Sequence, residues 1–185
     1  PLPLVIQPEA GQDNSAPALA AWINENFKEL RQLQVKHGAL LFRGFDLHEE
    51  VDFETMALAL EPDLKNNYQG TSPRNQRSKY VFNASELPEH YPIMQHCEMS
   101  FLPSAPRRLF FFCKTAPQYG GETPICDFRA VYNDLDEEVR SAFEERGIRY
   151  IRNYSGPNEK QFLNVFQLKS WPELFNTTDK SVAEE

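Results

Sequence analysis

Hydrophobic residues recur at helical spacing along the first fifth of the chain. Between Ser15 and Gly38 the apolar positions form one stripe, which consists of Leu19, Trp22, Ile23, Phe27 and Leu30. An apolar residue every three or four positions is typical of a helix with one buried face. Ser15 is a favourable N-cap, and glycine commonly follows the last turn of a helix. The pattern therefore predicts one helix over residues 15–37.

Continuous apolar runs predict buried strands. Residues 39–42 read Ala-Leu-Leu-Phe, and residues 109–113 read Leu-Phe-Phe-Phe-Cys. Runs that are apolar on both faces are typical of strands inside a sheet. We expect the second run to be an interior strand, and we predict a further strand over residues 148–154.

Three more helices are predicted from their capping residues. One covers residues 52–60 and ends before Pro62, a second follows Asp127 through Leu135, and a third covers residues 137–146. The third begins after Asp136 and ends at Gly147, and its predicted buried stripe consists of Leu135, Val139, Ala142 and Phe143. With no repeat and no linker, residues 1–185 are expected to form a single α+β domain.

Charge and cysteine content narrow the classes of function. The chain has 27 acidic and 19 basic residues, for a formal net charge of -8. Such a surface repels nucleic-acid phosphates and anionic lipids, so we expect neither nucleic acid nor membrane as a partner. The N-terminal residues show no signal-peptide pattern, and Cys97, Cys113 and Cys126 are too widely spaced for a disulfide framework or a cysteine zinc site. The expectation is a cytoplasmic protein with reduced thiols.

The strongest chemical feature is His96-Cys97-Glu98. Nearby prolines favour extended backbone, in which residues two apart point to the same face. An imidazole beside a carboxylate supplies two of the three ligands of the 2-His-1-carboxylate triad that binds Fe(II). The alternative is a buried histidine that is hydrogen-bonded near a strand end. A second such pair, His48 and Glu50, lies in an acidic stretch that we interpret as a solvated helix start.

Four segments in this order resemble one family. They are the run over residues 38–45, Ser72-Pro73-Arg74, His96-Cys97-Glu98 and Gly120-Gly121-Glu122-Thr123-Pro124. Together they resemble the taurine dioxygenase-like branch of the Fe(II)/2-oxoglutarate-dependent oxygenases. The resemblance implies a double-stranded β-helix (jelly-roll) core that is braced by outer helices.

The resemblance also implies roles for individual residues. His96 and Glu98 would hold Fe(II), and the hydroxyl of Thr123 would donate to bound 2-oxoglutarate, whereas a tight glycine turn is the structural alternative for that position. Substrate contacts would come from Met99, Thr71 and Arg74, although a methionine also serves as core filler and an arginine as surface charge. The resemblance implies no catalytic residue beyond the metal ligands.

Much of the family has aspartate at the position of Glu98, and the glutamate here resembles the subgroup that contains clavaminate synthase. That similarity implies hydroxylation by O₂ of an unactivated carbon, on an amino acid or an amino-acid-derived small molecule. Related proteins act on amino acids that are tethered to carrier proteins, so a carrier protein is a candidate partner. A halogenase relative would have glycine or alanine at this position, so Glu98 disfavours halogenation.

The chain departs from the family in one respect. The family has a second histidine ligand and an arginine for 2-oxoglutarate well downstream, but no histidine follows His96 and no arginine follows Arg152. We therefore expect residues 1–185 to be the N-terminal portion of a longer oxygenase domain, without the C-terminal part of the family fold. The alternative is a non-catalytic interaction protein on the same scaffold, without a complete iron site.

Overall fold

The computed structural model describes residues 2–68, 70, 74–84, 92–157 and 169–184. Helices predominate in this part of the chain, and a small sheet lies near the N-terminus. The elements are β1 (Leu4–Ile6), α1 (Ala16–Glu25), α2 (Phe27–His37), β2 (Leu40–Phe42), α3 (Glu50–Leu60), α4 (Phe128–Asp134), α5 (Glu137–Arg146), α6 (Trp171–Phe175) and α7 (Lys180–Glu184). The predicted mixture of helix and sheet is confirmed at this level. None of the helices in the described ranges is long and apolar enough to cross a membrane.

The helix predicted over residues 15–37 is two helices that meet at Asn26. Ser15 caps α1 as predicted, since its hydroxyl accepts a hydrogen bond from the backbone N–H of Ala18. At Asn26 the side-chain amide donates to the carbonyl of Trp22 at 2.8 Å, and the backbone leaves helical geometry with ψ at 15°. Asparagine competes for backbone groups in this way, which interrupts helices. The end at Gly38 is confirmed, where φ is 77° and glycine carries no strain.

The sheet consists of β1 and β2, which pair in parallel. Leu4 lies opposite Leu40, and Ile6 lies opposite Phe42. The backbone N–H of Leu4 donates to the carbonyl of Ala39 at 2.9 Å, and that of Arg43 donates to Ile6 at 3.0 Å. The predicted strand over residues 39–42 is therefore present, and its partner is an N-terminal segment that the pattern did not reveal.

The core lies between α1, α2 and α3. It contains Leu19, Ala20, Ile23, Leu30, Phe53, Met56 and Ala59, and both strands pack partly buried apolar side chains against it. Helix α3 begins two residues earlier than predicted because Glu49 and Asp52 form a capping box at its start. The Glu49 side chain accepts from the backbone N–H of Asp52, and the Asp52 side chain accepts from the backbone N–H of Glu49. Both bonds satisfy N–H groups that have no partner within the helix.

The prediction of an interior strand over residues 109–113 is wrong within the described chain. Phe110 and Phe112 pack against the core, and Phe112 stacks on Phe53 with ring centroids 5.2 Å apart. Phe111 on the other face is 67% exposed. A strand needs hydrogen-bonding neighbours, and no described segment pairs with this run, so it is an extended segment with one covered face.

A shared carboxylate attaches this segment to the helices. Glu61 follows α3, and its Oε2 accepts from Arg108 Nη1 at 2.7 Å and from Arg31 Nη2 at 3.1 Å. Arg108 also donates to the side chain of Gln34 at 3.2 Å. The cluster joins the end of α3 to α2 and to the start of the apolar run.

The caps of α4 and α5 are as predicted, but the predicted buried stripe is not. Asp127 accepts from the backbone of Arg129, Asp136 accepts from Glu138, and Gly147 ends α5 with φ at 68°. Hydrogen bonds from the Arg129 side chain also hold the pKa of Asp127 below its ordinary value. The stripe members Leu135, Val139 and Phe143 are exposed and Ala142 is half-buried, because no core element in the described chain packs against α5.

The strand predicted over residues 148–154 is also absent from the structure. These residues have no regular secondary structure, and Ile148, Tyr150 and Ile151 are exposed. Because the described residues form one two-stranded sheet, they do not show the jelly roll that the resemblance implies.

Candidate metal site

His96 and Glu98 lie side by side. His96 Nε2 is 3.5 Å from Glu98 Oε2, and the histidine side chain is 57% exposed. The expected strand is absent, since a turn over residues 98–101 follows Cys97, with Met99 at a positive φ of 49°. The N–H groups of Ser100 and Leu102 donate to the carbonyls of Cys97 and Met99 at 3.3 and 3.0 Å. The predicted proximity is therefore confirmed, but a turn produces it.

The other ring nitrogen of His96 determines which tautomer is present. Nδ1 lies 2.7 Å from the backbone carbonyl of Met94. A carbonyl oxygen only accepts hydrogen bonds, so Nδ1 carries a proton, and in the neutral ring Nε2 is the nitrogen with the lone pair. Metal-binding histidines commonly donate their second N–H in this way, which fixes the ring and makes the ligand atom more basic. The alternative of a buried structural histidine does not fit an imidazole that is mostly exposed.

The donor set fits a divalent transition metal. Imidazole and carboxylate bonds to such ions are about 2.0–2.2 Å long, so one ion can reach both atoms of a pair 3.5 Å apart. Among the residues that the structure describes, no group of three His, Cys, Asp or Glu side chains is placed to hold a metal. The role of His96 and Glu98 as two of the three ligands of a facial triad stays a prediction.

An arginine that the sequence did not single out braces the turn beside Glu98. The guanidinium carbon of Arg152 lies 3.5 Å from the ring centroid of Phe101 and 5.3 Å from that of Tyr154. Tyr154 in turn makes an edge contact with Phe175 in α6, with centroids 6.2 Å apart. The only signal in the sequence was the spacing of Arg152 and Tyr154, which in an extended segment places both on one face.

Thr123 follows two glycines in irregular structure. Gly120 and Gly121 have φ values of 64° and 76°, and a side chain at Gly121 would collide with Pro117. Residues 120–123 form neither a regular turn nor a strand end, so the glycine-turn alternative also stays untested. Thr123 is exposed, and within the described chain its hydroxyl makes no hydrogen bond. Its role toward 2-oxoglutarate stays a prediction.

The three predicted substrate contacts differ in their surroundings. Met99 is half-buried in the turn beside Glu98. Thr71 lies outside the described residues. Arg74 is half-buried, and it donates from Nη1 to the carbonyl of Asn83 at 3.0 Å and lies with its guanidinium carbon 4.8 Å from the ring centroid of Tyr68.

The second histidine–carboxylate pair has the structural role that we expected. His48 is exposed immediately before α3, and its backbone N–H donates to the carboxylate of Asp52 at 3.0 Å. The N–H of Glu49 donates to the same oxygen at 2.9 Å, and together these bonds lower the pKa of Asp52. The acidic stretch is a helix start.

Comparison with known proteins finds several that are similar in sequence to this chain. The dapdiamide synthesis protein DdaC of Enterobacter agglomerans is 32% identical over 89% of this chain and 48% of its own length. A clavaminate synthase-like protein of Arabidopsis thaliana is 32% identical over 100% of this chain and 57% of its own length. An (S)-phenoxypropionate/alpha-ketoglutarate-dioxygenase of Delftia acidovorans is 32% identical over 32% of this chain and 20% of its own.

The chain thus spans about half the length of the first two relatives. Residues 1–182, nearly the whole chain, match a single family model. The predicted resemblance to the taurine dioxygenase-like oxygenases is confirmed at the level of the family. The chain belongs to the taurine catabolism dioxygenase TauD, TfdA family.

Proposed function

We propose that this chain contributes to an Fe(II)- and 2-oxoglutarate-dependent oxygenase that hydroxylates a small molecule with O₂. The observation that carries the proposal is the His96–Glu98 pair, with the Nε2 lone pair and a carboxylate oxygen 3.5 Å apart in a chain of this family. Iron with 2-oxoglutarate would supply the oxidising chemistry, and the protein supplies binding and orientation.

The chain's own residues have defined parts in this proposal. His96 presents Nε2 because Met94 accepts the proton of Nδ1, and Glu98 supplies the anionic ligand. The turn over residues 98–101 and the Arg152–Phe101 stack hold Glu98 in place. Thr123 would bind 2-oxoglutarate through its hydroxyl, and Met99, Thr71 and Arg74 would contact the substrate.

We further propose an amino acid, or an amino-acid-derived compound that a carrier protein holds, as the substrate. The relatives named for dapdiamide synthesis and for likeness to clavaminate synthase support this class. We also propose that these residues are the N-terminal portion of a jelly-roll oxygenase domain whose remaining histidine ligand and 2-oxoglutarate arginine lie downstream. The partial coverage of both relatives supports this organisation.

Anaerobic titration of the full-length protein tests the proposal. Fe(II) followed by 2-oxoglutarate should produce the visible charge-transfer band that requires both to bind one centre, and O₂ should then yield succinate. Glu98→Ala should lose the band, whereas Glu50→Ala, from the helix-start pair, should keep it. If the wild-type protein binds no iron and forms no succinate, the alternative of a non-catalytic interaction protein is supported. One observation favours that alternative: the described residues contain no group of three side chains that could hold a metal.

A further inference from the structure

Two cations lie over one aromatic ring, that of Tyr68. The Arg74 guanidinium carbon is 4.8 Å from the Tyr68 ring centroid, and the Lys169 Nζ is 5.3 Å from the same centroid. All three residues are half-buried. Cation–π attraction holds each cation to the ring, but it does not neutralise their charge.

Two other half-buried arginines in the described chain are paired with a carboxylate, since Arg31 and Arg108 share Glu61. By contrast, neither Arg74 nor Lys169 has a carboxylate oxygen within ion-pair distance among the described residues. Two cations at one ring without an ion-pair partner in the described ranges are unexpected in a protein with a net charge of -8. Their mutual repulsion is relieved if an anion binds between them.

Arg74 also has an unused donor. Its Nη1 donates to the carbonyl of Asn83, but its Nε is buried and has no acceptor in the described part of the chain. A buried N–H without an acceptor is costly, and such groups usually have a ligand, an ion or a water as partner. The guanidinium edge formed by Nε and the second terminal nitrogen matches the two oxygens of a carboxylate.

A described acidic side chain close to Lys169, that of Glu173, is already engaged. Glu173 Oε2 accepts from the backbone N–H of Ser170 at 2.8 Å and from its hydroxyl at 2.7 Å, as the capping box of α6. These two bonds, and to a smaller extent the charge of Lys169, lower the pKa of Glu173. Glu173 therefore stays ionised as a helix cap, and it attracts Lys169 without forming a direct ion pair with it.

We propose that Tyr68, Arg74 and Lys169 form an anion site that binds a carboxylate group of the substrate. Arg74 recognises the two oxygens, Lys169 adds a second charge, and Tyr68 aligns both cations through its ring. This position of Tyr68 requires glycine at residue 70, where the Cβ of any other residue would overlap the phenol. The assignment to substrate rests on the proposed function, whereas the binding of a carboxylate does not.

The first experiment uses the iron-free protein and acetate as the probe. The side-chain Nε–H NMR signal of Arg74, assigned by its loss in Arg74→Lys, should shift on addition of sodium acetate, and acetamide or sodium chloride at equal concentration should leave it unchanged. Lys169→Gln should weaken acetate binding about tenfold, because it removes one of two charges that face the anion. Arg149→Gln, which changes an exposed arginine in an irregular segment, should leave acetate affinity unchanged.

The second experiment assigns the carboxylate to its source. In the full-length protein, Lys169→Gln should raise the KM for a carboxylate-bearing substrate about tenfold, and the KM of the corresponding amide should not change. The dissociation constant of 2-oxoglutarate, read from the charge-transfer band, should also stay unchanged. An Arg74 signal that does not respond to acetate overturns the site, and a weakened affinity for 2-oxoglutarate overturns the substrate assignment. Failure of the proposed function would remove turnover but would leave the acetate response intact.

Discussion

Replacement of Glu61 by glutamine tests whether one carboxylate holds the segment before the apolar run onto the helices. Glu61 is 24% exposed at its side chain, and its Oε2 accepts from Arg108 at 2.7 Å and from Arg31 at 3.1 Å. Hydrogen bonds to charged groups contribute about 1.5–3 kcal/mol each, and they are roughly twice as strong as neutral ones. Because glutamine keeps the shape and one acceptor, about half of the combined contribution of the two hydrogen bonds is lost. Glu61→Gln should therefore lower the free energy of unfolding by about 1.5–3 kcal/mol.

Urea denaturation followed by circular dichroism measures this change, with the slope of the transition checked for constancy. Asp63→Asn is the matched control, since Asp63 is 85% exposed and pairs with exposed Lys65. An exposed ion pair contributes about 0–1 kcal/mol, so the control should be close to neutral. If Glu61→Gln is as mild as Asp63→Asn, the shared carboxylate does not anchor the segment, and our account of how residues 108–113 attach is wrong.

Three further substitutions give distinct results. Glu98→Ala should weaken Mn(II) binding by the full-length protein at least about 100-fold in calorimetry, because it removes the anionic ligand, and undiminished binding would contradict the metal assignment. Thr123→Val should weaken 2-oxoglutarate binding by about 1–3 kcal/mol without loss of iron, whereas iron loss at constant 2-oxoglutarate affinity would make Thr123 structural. Ile23→Ala should cost about 2–5 kcal/mol in denaturation, since Ile23 is 0% exposed, and a cost near that of exposed Val35→Ala would contradict the core we describe.

Features that depend on neighbouring residues were predictable from the sequence. Ser15, Asp127 and Asp136 cap the helices that follow them, and Gly38 and Gly147 end helices with positive φ. A cap requires only a side-chain oxygen within reach of the next turn, so its partners are close in the chain. Periodicity found the core stripe of α1 for the same reason.

Features that depend on distant partners were not predictable. Residues 109–113 have the composition of an interior strand, but strand formation needs a neighbour that no described segment provides. The stripe of α5 has the right spacing, but burial needs a facing element. The break at Asn26 had a local cause that the apolar stripe concealed, because Leu19 and Leu30 reach the same core from two helices.

The candidate metal site has some features that neighbouring residues determine and others that depend on distant parts of the chain. Spacing alone placed His96 beside Glu98, although the structure achieves this with a turn instead of a strand. The proton on Nδ1 could not be predicted, because it depends on where the carbonyl of Met94 lies. The Tyr68 ring with its two cations was equally invisible, since Lys169 is far from Arg74 in the chain.

The His96–Glu98 pair and the hydrophobic core lie in separate parts of the described chain. The described residues between 92 and 157 include no buried side chain, whereas α1 and α3 contain most of the core. The described links between the two parts include the stack of Phe112 on Phe53, the bonds of Arg108 to Glu61 and those of Lys114 to Glu49 and Glu50. His96 is exposed and neither His96 nor Glu98 packs in the core. Substitutions at these two residues should therefore change metal affinity with little effect on unfolding, whereas those at Ile23 should mainly change unfolding. Glu61 lies at one of these links, so it is one position where stability and the placement of residues 108–113 are coupled.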